Sequence, residues 1–177
     1  MNIKQIIFSF LFCCTSAFLL FLSGCSSTND LYKTFYVGDE GIQYFIQPLD
    51  FTGETDKNEE LQADITFRYK RVLKDSSIVN ISLVGTNYYK TVDSVKIGTD
   101  SDSMVIKNLN IMFSERTGDY FISRFTSKGS LPGIKQVFNN SNWVITVYAQ
   151  ARSLKYLATN STKNKIERLN YSIFMLF

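Results

Sequence analysis

Side chains able to make or break a covalent bond are scarce in this chain of 177 residues, and histidine is absent. Without imidazole there is no Ser-His-Asp or Cys-His nucleophile, no histidine-bearing zinc site and no ordinary proton shuttle near neutral pH. The three thiols, Cys13, Cys14 and Cys25, precede the body of the chain, which is left without a thiolate nucleophile or a cysteine metal cage. No glycine-rich phosphate loop follows a strand-like run. Paired carboxylates of the kind that hydrolyse glycosides are the remaining route to bond cleavage. The glutamates Glu40, Glu54, Glu59, Glu60, Glu115 and Glu167 stand mostly in polar stretches beside Lys, Asn or Gly, the setting of solvated turns. Asp100-Ser101-Asp102-Ser103 spaces its carboxylates like half a calcium loop, but lacks the glycine and the distal glutamate of an EF-hand. It reads as a turn. The chain is therefore expected to be no enzyme and to hold no metal and no cofactor.

Surface contact is the chemistry that remains. Tyrosine is amphipathic and loses little entropy when ordered, which suits it to stacking on sugars or anchoring an interface. Most of the ten tyrosines fall in periodic runs, where aromatics favour strands. Tyr88 and Tyr89, near Gly85 and outside any clear alternation, are the pair expected to form an exposed platform for a ligand or partner. Trp143 is expected to plug the core.

Ahead of all this, Lys4, an apolar run from Ile6 to Phe21 and a few small residues have the three-part build of an export leader. The apolar stretch is at the short end of the roughly 17 to 25 residues that cross a bilayer, which disfavours an uncleaved anchor. The segment closing the leader, Leu22-Ser23-Gly24-Cys25, resembles the lipobox of bacterial lipoproteins at every position. That resemblance implies cleavage before Cys25, a diacylglycerol on its thiol and, as a rule, a further acyl chain such as palmitate on the new amino group. Two or three chains at ~0.8 kcal/mol per buried methylene hold a protein firmly to membrane lipid. Ser26 stands where an aspartate would retain a lipoprotein at the inner membrane, so similarity to the enteric sorting rule implies the outer membrane, facing either the periplasm or the exterior.

Residues 1–24 are thus expected to be a signal peptide, residues 25–31 a flexible lipidated tether and residues 32–177 a single domain. Removing 24 residues leaves 153, enough for one core. Only Lys4 is lost among charged groups, leaving 18 cations against 16 acids. That balance gives no reason to expect nucleic acid as a partner.

The elements that must position any contact surface follow from a period of two. Leu61, Ala63, Ile65, Phe67, Tyr69 and Leu73 alternate with polar residues, and Asp75-Ser76-Ser77 turns the chain into Val79, Ile81 and Leu83. Leu109 to Phe113 and Tyr120 to Phe125 flank a second turn, in which Gly118 supplies positive φ. Further strands are expected over Thr34 to Val37, Ile42 to Phe51, Trp143 to Ala151 and Leu169 to Phe177. Pro48 cannot donate to a ladder and marks an edge or a bulge. Ser130 to Asn140 carries the one helical stripe, and Thr52 to Glu60, Ile97 to Ser103 and Ala158 to Lys165 read as loops.

The fold class expected is all-β, an antiparallel β-sandwich with one short helix near residues 130–140. The function expected is that of an outer-membrane lipoprotein serving as a non-catalytic anchoring or adaptor subunit of an envelope protein assembly. In size, lipobox and β content this resembles the small anchoring lipoproteins of secretion or motility machines. The alternative is a surface or periplasmic lipoprotein that binds a glycan or another small ligand.

Overall fold

A computed structural model describes residues 31–70 and 77–176. The expected tract Leu61 to Leu73 and its turn are seen only in part, since Leu73, Asp75 and Ser76 lie outside the described residues, as do Cys25 and Phe177. The fold is all-β, an antiparallel sheet curled on itself into a sandwich-like body with two helices. Its strands are β1 (Tyr32–Tyr36), β2 (Ile42–Ile46), β3 (Leu49–Gly53), β4 (Glu60–Tyr69), β5 (Ser77–Gly85), β6 (Ser94–Gly98), β7 (Ser103–Lys107), β8 (Asn110–Thr117), β9 (Tyr120–Gly129), β10 (Val144–Ala149) and β11 (Arg152–Ala158). The helices are α1 (Leu131–Val137) and α2 (Asn160–Ser172), with 3-10 turns at Gly38–Glu40 and Phe174–Leu176. The neighbour order is β7-β6-β10-β11-β3-β4-β5-β9-β8.

Pro48 forks this sheet. β2 and β3 flank the same side of β4, with Ile42 opposite Tyr69 and Leu49 opposite Ala63, so the partner register slips by one residue between them. That is the bulge expected of a residue without an N–H. Beyond the fork, β2 takes β1 as its outer neighbour while β3 takes β11. Gln47 N–H donates to the Leu31 carbonyl at 2.8 Å, and Leu31 is buried. Leu31 therefore packs into the body.

The period of two sorts the faces as expected. Leu61, Ala63, Ile65 and Phe67 of β4 and Val79, Ile81 and Leu83 of β5 are all buried. Trp143 does fill the core, and its indole N–H donates to the Val137 carbonyl at 2.8 Å. Gly118 sits at φ 62 in the two-residue turn between β8 and β9, shorter than the expected loop because both strands run further. The Ser130 hydroxyl caps α1 by accepting from Gly133 N–H, as its place before Leu131-Pro132 suggests.

The C-terminal region corrects two expectations. Ala158 to Lys165 is not a loop, and Leu169 to Phe177 is not a strand: α2 occupies residues 160–172. The governing period is Thr162, Ile166, Leu169 and Ile173, all buried at spacings of three or four. The apparent alternation over Leu169, Tyr171, Ile173 and Met175 is a coincidence of composition, because Tyr171 and Met175 point into solvent. Thr159 caps the helix, and the Thr162 hydroxyl accepts from Asp50 N–H and donates to the Asp50 carbonyl, both at 2.8 Å. The helix is thereby bound to β3. Phe174 stacks on Phe67 and Phe138, at centroid separations of 5.5 and 4.3 Å. α2, like strand β11, was missing from the expected elements.

Candidate functional site

The two tyrosines of the pair differ sharply in burial. Tyr89 is only 4 % exposed, whereas Tyr88 is 54 % exposed. The pair therefore does not form one exposed platform. Tyr89 Oη lies 2.9 Å from Tyr156 Oη, and Asn87 Nδ2 donates to Tyr156 Oη and to Glu59 Oε1, each at 3.1 Å. Burial, followed by the hydrogen bond to Tyr156, pushes the Tyr89 phenol far above its ordinary range. Burial likewise raises Tyr156, partly offset by its hydrogen bond with Tyr89. The network pins the segment after β5 onto β11.

Tyr88 instead lies against Phe121, with ring centroids 5.3 Å apart, and the Arg116 guanidinium stands 5.8 Å from the Phe121 ring centre. Cation and aromatic faces attract, and Arg116 is held in place by donating from Nε to the Gly118 carbonyl. This cluster closes one end of β8, a strand whose only sheet neighbour among the described residues is β9. Ile111, Met112 and Phe113 of β8 are all exposed, and the register to β9 shifts between Ile111 and Phe113. Beyond the bulge, Ser114 to Thr117 pair regularly with β9, and among the described residues no strand pairs with their outer side. The sequence placed a strand here without revealing that it is an edge. The signal was the consecutive run Ile111-Met112-Phe113, which has no dry face.

The carboxylates are spread among separate partners. Glu40 pairs with Arg68, Glu54 with Lys155, and Glu167 accepts from the Ser141 hydroxyl. Asp50 and Glu60 share a groove of about 390 Å³ with Gln62, Val84, Tyr120 and Thr159. There Gln62 Nε2 donates to Asp50 Oδ1 at 2.9 Å. The aspartate pair of the calcium-like segment sits in the turn between β6 and β7, where Asp102 accepts from Ser101 and Gln136 and Asp100 faces Lys96. Among the described residues, no three His, Cys, Asp or Glu side chains gather to hold a metal ion. Nor is any described helix long and apolar enough to cross a membrane. Comparison of the chain with protein-family models, with curated proteins and with solved structures finds no match in any of the three.

Proposed function

We propose that this chain is a lipid-anchored envelope protein, held at the outer membrane through acyl chains on Cys25, that serves as a non-catalytic adaptor by presenting β8 to a partner protein. The observation that carries the adaptor role is the free edge of β8 with Ile111, Met112 and Phe113 exposed along it. An extended partner segment laid beside Ser114 to Thr117 would continue the ladder, with main-chain hydrogen bonds giving affinity and side-chain contacts giving selectivity. Fully burying one side chain of the size of Ile, Met or Phe is worth about 1.5 to 3 kcal/mol. Arg116, steadied on Phe121 beside Tyr88, supplies a cation and aromatic rim of the kind enriched at interfaces.

A second reading draws on the groove beside Tyr120, where Asp50, Glu60 and Gln62 could receive sugar hydroxyls while the ring stacks on a sugar face. A photo-crosslinking residue at Met112, with the lipidated protein in its native envelope, separates the two. An adaptor yields one stoichiometric adduct that disappears on Phe113→Lys. A glycan binder yields none, and its melting temperature rises with one glycan in a Tyr120-dependent way.

A further inference from the structure

We infer that the face formed by β1 and the end of α2 rests on the bilayer that carries the acyl chains of Cys25; this rests on the lipoprotein reading above. Five residues lie between Cys25 and Leu31, and the six steps from one to the other span at most about 20 Å in any conformation. Because Leu31 is packed into the body, the protein cannot drift further than that from the membrane surface. β1 begins at the next residue, and Tyr32 Oη donates to the Ser172 carbonyl at 3.4 Å, which joins the start of β1 to the end of α2. The three most exposed large apolar side chains among the described residues lie on these two segments: Tyr36 at 79 %, Tyr171 at 71 % and Met175 at 66 %. Phe35, 55 % exposed and edge-on to Phe45, points to the other face of β1 and is no part of the patch. Tyr36 stands about 13 Å along the strand from Tyr32, within the radius that the tether permits.

The chemistry of the patch suits a headgroup layer. Tyrosine belongs to the aromatic belt at membrane–water boundaries, with its ring among acyl carbons and its hydroxyl in water. The cation Arg168 is exposed on α2, three residues before Tyr171, where it can meet anionic lipid phosphates. The nearby acids Glu40 and Glu167 are engaged by Arg68 and Ser141. Asp39, exposed in the turn beyond Tyr36, must stay on the water side and limits how deeply β1 can enter. In the sheet order β2, β4, β5 and β9 separate β1 from β8.

Once Cys25 is acylated the mature chain has no other thiol, so single nitroxide labels can be placed by Tyr36→Cys, Tyr171→Cys and Met175→Cys, with Met112→Cys as the control. All four positions are exposed, and the proteins are lipidated and carried in vesicles of phosphatidylethanolamine and phosphatidylglycerol. The expected result is that a water-soluble nickel complex reaches the first three labels several-fold less than the control, while oxygen reaches them more. Equal nickel access at all four sites on an acylated protein overturns the inference and leaves the anchor standing. Protection from both reagents, the signature of covering protein, overturns it too. Mass spectrometry showing an unmodified Cys25 removes the anchor reading and the inference together.

Discussion

The buried hydroxyls of Tyr89 and Tyr156 share one hydrogen bond, so the two phenylalanine substitutions should differ. Tyr89→Phe removes a single bond and leaves Tyr156 partnered by Asn87, at a cost of about 1 kcal/mol. Tyr156→Phe strands Tyr89 Oη and takes one of the two bonds of Asn87 Nδ2, which keeps Glu59, and the cost should rise toward roughly 1 to 3 kcal/mol, as read by urea unfolding. The raised phenols also set a pH dependence. A tyrosine held neutral in the folded state while its unfolded counterpart ionises near 10.0 binds more protons folded than unfolded. Its stability is complete below pH 10 and falls as pH rises above it. Unfolding midpoints measured across that region should drop less steeply in Tyr89→Phe; an identical slope would show that this phenol is not protected.

At the scale of elements, α2 owes its position to Thr162. Thr162→Val keeps the shape but strands the Asp50 N–H, while the Asp50 carbonyl keeps the Thr159 N–H, and roughly 1 to 3 kcal/mol of stability should go with the stranded donor. Thr159→Ala removes only the cap, worth about 1 kcal/mol. Phe174→Ala empties the stack between Phe67 and Phe138 and should cost about 3 to 5 kcal/mol. In β8, Phe113→Lys is expected to change stability by about 0.5 kcal/mol or less, since the site is exposed, while abolishing the Met112 crosslink. These elements also mark what can be read from the chain. The alternation of β4 and β5, the Gly118 turn and the bulge at Pro48 were legible because each is decided by neighbours in sequence. α2 was hidden because a short apolar set such as Leu169, Tyr171, Ile173 and Met175 fits a strand until tertiary burial selects Leu169 and Ile173 and exposes the other two. The fates of Tyr88 and Tyr89 were illegible for the same reason, since which of two adjacent rings turns inward depends on Tyr156, far along the chain.

For the whole molecule, anchoring and folding should be separable. The domain has no cysteine beyond Cys25, so packing holds it together, and Cys25→Ser should leave the melting temperature unchanged while moving the protein from the membrane pellet to the soluble fraction. Persistence in the pellet after a high-salt wash would refute lipidation as the anchor. The sheet order places β1 at the tip of one branch of the fork and β8 at one end of the main path, with β7 curling back until Ser127 Oγ donates to the Lys107 carbonyl of that strand. Nothing in this arrangement asks for a large ligand cavity. The core lies between these two borders of the sheet.

The fork at Pro48 bears on how such a molecule would carry load. If one border is held by lipid and the other is pulled by a machine, tension crosses the strands instead of running along them. It must pass from β2 and β3 into β4. Each of those strands alone faces β4 through four residues, a narrow grip. Because the backbone continues through Pro48, the two grips act on β4 together, and a ratchet-like yield at one of them still leaves the other engaged.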